Sequence, residues 1–249
     1  MTQPTLQARD LSVGYDASEV LVEHVSFEVS QGEIVAILGR SGCGKSTLLR
    51  HLIGLEPPLA GEVLLSGATH NGLDVGRPSF GVMFQAGALF GSLSLLDNVA
   101  LPISEWTELP RELVRVMALA KLRLVGLEQE ADKLPAALSG GMRKRAAIAR
   151  ALALEPSLLF LDEPSAGLDP ITSAELDQLI VTLAKVIGVT VILVSHEMAS
   201  VGAIADRCIL LDGPSRSLIA EGAPQQLAQS KDKRVSDFFQ RKASEHRGS

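Results

Sequence analysis

Ile34-Val35-Ala36-Ile37-Leu38-Gly39-Arg40-Ser41-Gly42-Cys43-Gly44-Lys45-Ser46-Thr47 decides how the rest of the chain is read. Its unbroken apolar start reads as a strand buried on both faces, and the glycine-rich turn that follows runs into a helix beginning near Lys45. The turn fits G-x-x-x-x-G-K-[ST]. Glycines there let main-chain N–H groups close around a β-phosphate, and the helix start adds partial positive charge. Gly39, Ser41, Gly42, Cys43, Gly44 and Thr47 belong to this cradle, Lys45 would reach the β- and γ-phosphates, and the Ser46 hydroxyl would reach Mg²⁺. The bare pattern matches by chance in about one random chain of this length in a hundred, so its weight comes from the strand–turn–helix context.

Downstream, Leu158-Leu159-Phe160-Leu161 is a second buried-strand run, and it delivers Asp162 and Glu163 at its end. Asp162 would hold Mg²⁺, directly or through water, and Glu163 would polarise an attacking water as general base. Two adjacent acids are otherwise ordinary solvated loop charge. Val191-Ile192-Leu193-Val194 is a third such run, followed by His196, whose imidazole could bond a γ-phosphate; from its position alone it reads equally well as a structural histidine. Ser139 reads as an N-cap ahead of Gly140-Gly141-Met142, which makes a second anion-binding helix start far from the first. Both could serve one triphosphate if two copies met head-to-tail. Taken alone, Ser-Gly-Gly is an ordinary loop. Arg143-Lys144-Arg145 reads as a solvated helix face with no catalytic task.

Around these motifs the chain is globular in composition. Its 249 residues are 46% apolar and 21% charged, with 22 Gly and 12 Pro, which excludes collagen-like and wholly disordered classes. A net charge of −6 and 4% aromatic residues disfavour a nucleic-acid partner. No apolar run approaches the roughly 20 residues of a membrane span, and the first ten residues carry no secretory signal, so a cytosolic protein is expected. Cys43 and Cys208, with no metal-ligand spacing around them, read as reduced thiols.

Alternating apolar positions at Leu6, Ala8, Leu11 and Val13, then Val25, Phe27 and Val29, predict short half-buried strands near the start. From Pro110 to Val125 the repeat Leu113, Val116, Met117, Ala120, Leu124, stopped by Gly126, predicts a helix. No strand signal stands out from about Ala86 to Leu154. The expected fold is therefore α/β, with a mostly parallel core, an antiparallel N-terminal β part and an inserted helical segment. The expected division is 1–85 for the β part and nucleotide core, 86–156 for the helical subdomain, 157–224 for the resumed core and 225–249 for a tail. Lys231 to Ser249 carries six basic residues against three acids, a local +3, and holds Phe238-Phe239, which predicts a docking surface with no core of its own to fill.

These residues resemble the ATP-binding subunit of ABC transporters over nearly the whole chain, and the order of motifs makes the resemblance specific. Gly39 to Thr47 looks like Walker A of a P-loop (RecA-like) NTPase, Leu138 to Met142 like the LSGGQ signature, and Leu158 to Glu163 like Walker B. Ser165-Ala166-Gly167-Leu168-Asp169 looks like the D-loop, His196 like the switch histidine, and Val82-Met83-Phe84-Gln85 like the Q-loop. The resemblance implies that Gln85 approaches Mg²⁺, that Tyr15 stacks on adenine, and that Ser139, Gly140 and Gly141 contact nucleotide held by a second copy. Met142 stands where most members have Gln. With Asp169-Pro170-Ile171-Thr172 and the tail past Gly222, it resembles the ATPases of Mla/Mce-type lipid transporters. That implies an ATP- and Mg²⁺-dependent ATPase, peripheral on the cytoplasmic face of the inner membrane, working with a membrane permease, an Mce-domain lipid-binding protein and a STAS-domain protein. The alternatives are an ATPase for small polar solutes and a soluble ABC-type protein acting on ribosomes or DNA; the latter is disfavoured by the single ATPase half and the lack of heptads.

Overall fold

In the computed structural model the chain forms two compact units, one of Met1–Leu73 with Val194–Ser249 and the other of Asp74–Leu193. The structure describes residues 4–16, 18–66, 68–69 and 78–240.

The first unit opens with β1 (Leu6–Gly14), β2 (Val20–Val29), β3 (Ile34–Gly39), α1 (Lys45–Leu52), β4 (Ala60–Leu65) and β5 (Ala68–Thr69). β1 pairs antiparallel with β2 and with β4, and β4 with β5, which is the antiparallel part expected from the N-terminal alternation. The alternation itself breaks after Ala8. Asp10 and His24 take φ of 47° and 52°, the β1–β2 register shifts beyond Ala8, and Leu11 to Gly14 are all buried. β3 is buried at every position and pairs parallel with the later strand Arg207–Asp212, as its continuous apolar run leads one to expect.

The second unit holds β6 (Phe80–Met83), α2 (Leu95–Trp106), α3 (Arg111–Leu124), α4 (Gly140–Ala151), β7 (Leu158–Asp162), α5 (Pro170–Lys185) and β8 (Thr190–Val194). β6 runs parallel to β7, and β8 lies on the other side of β7. Residues 86–156 carry helices and no strand among the described residues. The α3 helix forms where its repeat predicts, ending before Gly126 at φ 74°, but the residues of that repeat are not the ones it buries. Its buried stripe is Val114, Ala118 and Leu122, while Leu113, Val116 (64% exposed) and Leu124 face outward. Asn98, fully buried on α2, anchors the preceding loop: its Oδ1 accepts from Phe90 N at 2.8 Å and its amide donates to the carbonyls of Phe90, Leu93 and Ser94.

Returning to the first unit, the chain adds α6 (Met198–Ile204), β9 (Arg207–Asp212), β10 (Ser217–Gly222), α7 (Pro224–Ala228) and α8 (Lys233–Phe239). The tail corrects an expectation. Val235 is buried, Phe238 and Phe239 are half-buried with ring centroids 5.7 Å apart, and Phe238 lines a groove of about 490 Å³ with Leu210, Leu211 and Ile219. Phe238 thus does have apolar neighbours of its own within the chain. Arg241, Lys242, Glu245 and Arg247, part of the basic tail, lie outside the described residues.

Candidate active site

In the first unit the phosphate loop is shaped by close approaches that only glycine permits. A Cβ on Gly39 (φ 154°) would lie 2.4 Å from Cys43 Sγ and 2.7 Å from Leu211 O, and one on Gly44 (φ 94°) would lie 2.9 Å from Val22 Cγ2. The positive φ at Gly44 turns the chain directly into α1, so the N–H groups of the first turn face the loop. Lys45 Nζ donates to Gly39 O at 2.9 Å and Arg40 O at 3.1 Å, which holds the ammonium over the cradle. Ser41, Gly42 and Ser46 are exposed, whereas Thr47 is buried. A tight turn at Gly14, whose Cβ would lie 2.2 Å from Glu19 O, leads into Tyr15, 68% exposed. From α1 the buried His51 brings Nε2 to 3.3 Å from Gly14 O, so the helix that begins at the phosphate loop also touches the strand end presenting Tyr15. Nothing in the sequence singled out His51. His196 is exposed just past β8, and Ser195 beside it is buried, its Oγ accepting from Glu197 N at 3.1 Å.

Cys43 also departs from expectation. A thiol beside a helix start invites the expectation of a lowered pKa and high reactivity. Cys43 is instead only 3% exposed, and burial raises its pKa, outweighing the Lys45 charge that lowers it. Its contribution to the cradle is its main chain. Burial likewise pushes the Cys208 thiol up to about 12.

In the second unit, β7 ends on Asp162, half-buried, and Glu163 follows with φ 48°. That left-handed backbone costs an L residue about 1–2 kcal/mol and turns its side chain away from the line of the strand. The Glu163 carbonyl accepts from Ala166 N at 3.3 Å and from Lys144 Nζ at 3.1 Å, and the same ammonium donates to the carbonyl of exposed Gln85 at 2.6 Å. Lys144 is 9% exposed, so it does not belong to the solvated face expected of Arg143-Lys144-Arg145. Of its neighbours, exposed Arg143 donates to Leu138 O, and half-buried Arg145 pairs with Glu175 at 2.8 Å.

Ser139 caps α4 as predicted, its Oγ accepting from Met142 N at 3.2 Å; it is exposed, while Gly140 and Met142 are half-buried and Gly141 is buried. Gly140 and Gly141 face the D-loop segment. A Cβ on Gly141 would lie 2.3 Å from Thr172 Cγ2, and one on Gly140 would lie 3.3 Å from Leu168 Cδ2. Asp169 caps α5 through the N–H groups of Ile171 and Thr172, and its carboxylate also accepts from the Thr172 hydroxyl at 2.5 Å, which leads in lowering its pKa.

A strand feeding a glycine-rich phosphate cradle, a second strand ending in paired carboxylates and a capped Ser-Gly-Gly helix start define a P-loop ATPase. Residues 22–166 match the family model described as ABC transporter. The chain is 41% identical over 244 residues, 96% of it and 91% of its relative, to the intermembrane phospholipid transport system ATP-binding protein MlaF of Haemophilus influenzae. Two solved structures share the fold. One is cbiO1 from Clostridium perfringens, part of the cbiONQ ABC transporter complex, with TM-score 0.81 and 30% identity over 94% of both chains. The other is the dimeric post-hydrolysis state of the cassette MJ0796 bound to ADP and Pi, with TM-score 0.77 and 31% identity over 88% of this chain and 98% of that one. This chain belongs to the ABC transporter family, as one of its ATPase subunits.

Proposed function

We propose that two copies of this chain close head-to-tail around two Mg-ATP molecules, and that opening after hydrolysis drives a separate membrane permease that moves phospholipid. The observation that carries this reading is the near-full-length likeness to an intermembrane phospholipid transport ATP-binding protein. In it, Gly39, Ser41, Gly42, Cys43, Gly44, Lys45, Ser46 and Thr47 bind the phosphates and Tyr15 stacks on adenine. Glu163 activates water, and His196, Gln85 and Lys45 hold the γ-phosphate and water in line. Ser139, Gly140 and Gly141 complete the site on the partner copy. Residues 86–156 act as a helical subdomain between the core segments 1–85 and 157–224.

Mg²⁺ fits the donor set. Ser46, Gln85 and Asp162 offer hard oxygens, and no cluster of three or more His, Cys, Asp or Glu suited to a metal occurs among the described residues. One or two protein oxygens plus substrate phosphates is how Mg²⁺ is usually held; when bound it neutralises phosphate charge. No described helix is long and apolar enough to cross a membrane, which accords with a peripheral subunit on the cytoplasmic face of the inner membrane. An Mce-domain lipid-binding protein and a STAS-domain protein are the further partners of this reading.

Co-purification of membrane proteins with the tagged chain tests it. A permease together with an Mce-domain protein is expected, whereas a permease of the kind that carries amino acids or other small polar solutes would overturn the lipid assignment.

A further inference from the structure

We propose that Lys144 is a positioning residue that ties the signature helix to the hydrolytic loops of its own subunit. The proposal rests on the reading above, in which Gln85 and Glu163 act in hydrolysis. Lys144 lies five positions beyond the cap Ser139, less than two turns into α4, and its buried ammonium spans two main-chain carbonyls. One is Gln85 O at 2.6 Å, 59 residues away in sequence, and the other is Glu163 O at 3.1 Å, 19 residues away.

Three physical points favour a positioning task over a purely structural one. A buried lysine is costly unless its donors are used, and this one donates to carbonyls that come from two separate loops. The carbonyls belong to two residues of this unit whose side chains the reaction needs in place. Glu163 also sits at φ 48°, a conformation that persists only where its surroundings fix it, and its carbonyl is one of the atoms Lys144 holds. Around Lys144 the helix is firmly seated, with Ala146, Ala147, Ile148 and Ala149 all buried. A shift of the Ser139 end, as when it meets phosphate held by a second copy, would therefore carry Lys144 with it and displace both carbonyls. Phosphate contact at the signature of one copy would thereby be felt at the water-activating carboxylate of that same copy.

The test uses the full-length chain and three substitutions. Lys144→Met removes the donors and keeps the apolar stem, Lys144→Gln leaves one shorter amide donor, and Lys144→Arg can still span two acceptors. Because misplacement of a reacting group by about 1 Å can cost on the order of 100-fold, Lys144→Met should lose about ten- to 100-fold in kcat. Its Kd for ATP should stay within about two-fold, since its contacts lie outside the phosphate loop. Hydrogen exchange at residues 84–88 should quicken by about ten-fold as that segment loses its tie. Lys144→Arg should recover most of kcat. If Lys144→Met does not fold, Lys144→Gln carries the same expectations with a smaller loss. Retention of wild-type kcat within two-fold by the Met or Gln variant would overturn the proposal, as would a fall in ATP affinity equal to the fall in kcat, or an Arg variant no better than the Met variant. A wild-type chain that hydrolyses ATP and loses turnover on Glu163→Gln but not on Lys144→Met would sink this proposal and leave the ATPase reading standing. A wild type without ATP hydrolysis would sink both.

Discussion

Gly141 offers a quantitative test of how the signature turn is seated. It is the second residue of α4 with no positive φ, so alanine is conformationally allowed there, and what opposes alanine is one methyl group. An added Cβ would lie 2.3 Å from Thr172 Cγ2, and the next atom, Thr172 Cβ, is 3.8 Å away. Carbon pairs settle at about 3.5–4.0 Å, so the two elements must separate by more than an ångström or Thr172 must leave its rotamer. Overpacking of that kind costs about 1–3 kcal/mol. Alanine returns up to about 1 kcal/mol of helix propensity over glycine, less in a first turn. The net for Gly141→Ala is a loss of about 1–2 kcal/mol, or roughly 2–8 °C in melting temperature for a chain of this size.

Thr172→Ser deletes only the clashing methyl and keeps the hydroxyl that donates to Asp169 at 2.5 Å. In that background Gly141→Ala should be neutral or slightly stabilising, giving a coupling of about 1–3 kcal/mol in a double-mutant cycle read by urea unfolding. ATP turnover should follow the same cycle, falling in Gly141→Ala and returning in the double variant. Effects that add within about 0.5 kcal/mol, or a Gly141→Ala variant that melts with wild type, would refute the close approach on which this reasoning stands.

Glu163→Gln should bind ATP normally and lose about 10²-fold or more in turnover, while Lys45→Ala should weaken binding itself; single-turnover assays and equilibrium binding separate the two. Ser139→Arg should keep ATP affinity and abolish hydrolysis, and mixing it with Lys45→Ala should restore at most one working site per dimer; full activity in a strictly monomeric preparation would contradict the composite site. Cys43, buried and with a raised pKa, should resist maleimide at neutral pH, so that labelling leaves turnover intact; rapid inactivation prevented by ATP would show the loop to be open around the thiol.

What could be read from the sequence was what lies contiguous in it. The phosphate cradle from Gly39 to Thr47 works through main-chain N–H groups and backbone angles set by its own glycines, so nine neighbouring residues contain nearly all of its geometry. The capped start of α4 and the strand delivering Asp162 and Glu163 are local in the same sense. Periodicity placed α3 but could not say which stripe it buries, because Leu113, Val116 and Leu124 are apolar like Val114, Ala118 and Leu122, and only tertiary contact decides which set is covered. The apolar neighbours of Phe238 were hidden for the same reason: Leu210, Leu211 and Ile219, which line a groove with it, come from strands earlier in the chain.

Charge was the least legible feature. Successive residues of a helix step by about 100°, so three basic residues in a row cannot all share one face. Composition marks Arg143-Lys144-Arg145 as solvated, but helical geometry requires at least one of the three to point elsewhere, and the middle one is buried. Its partners, the carbonyls of Gln85 and Glu163, are main-chain atoms that every residue possesses, so no side-chain pattern advertises them. Gln85 and Glu163 are visible as motifs because their side chains are chemically distinctive, whereas the tie between them runs through anonymous backbone oxygen. Contacts of that kind leave almost no mark on a single sequence, and a basic residue inside an otherwise alanine-rich buried helix face is the one trace this one leaves.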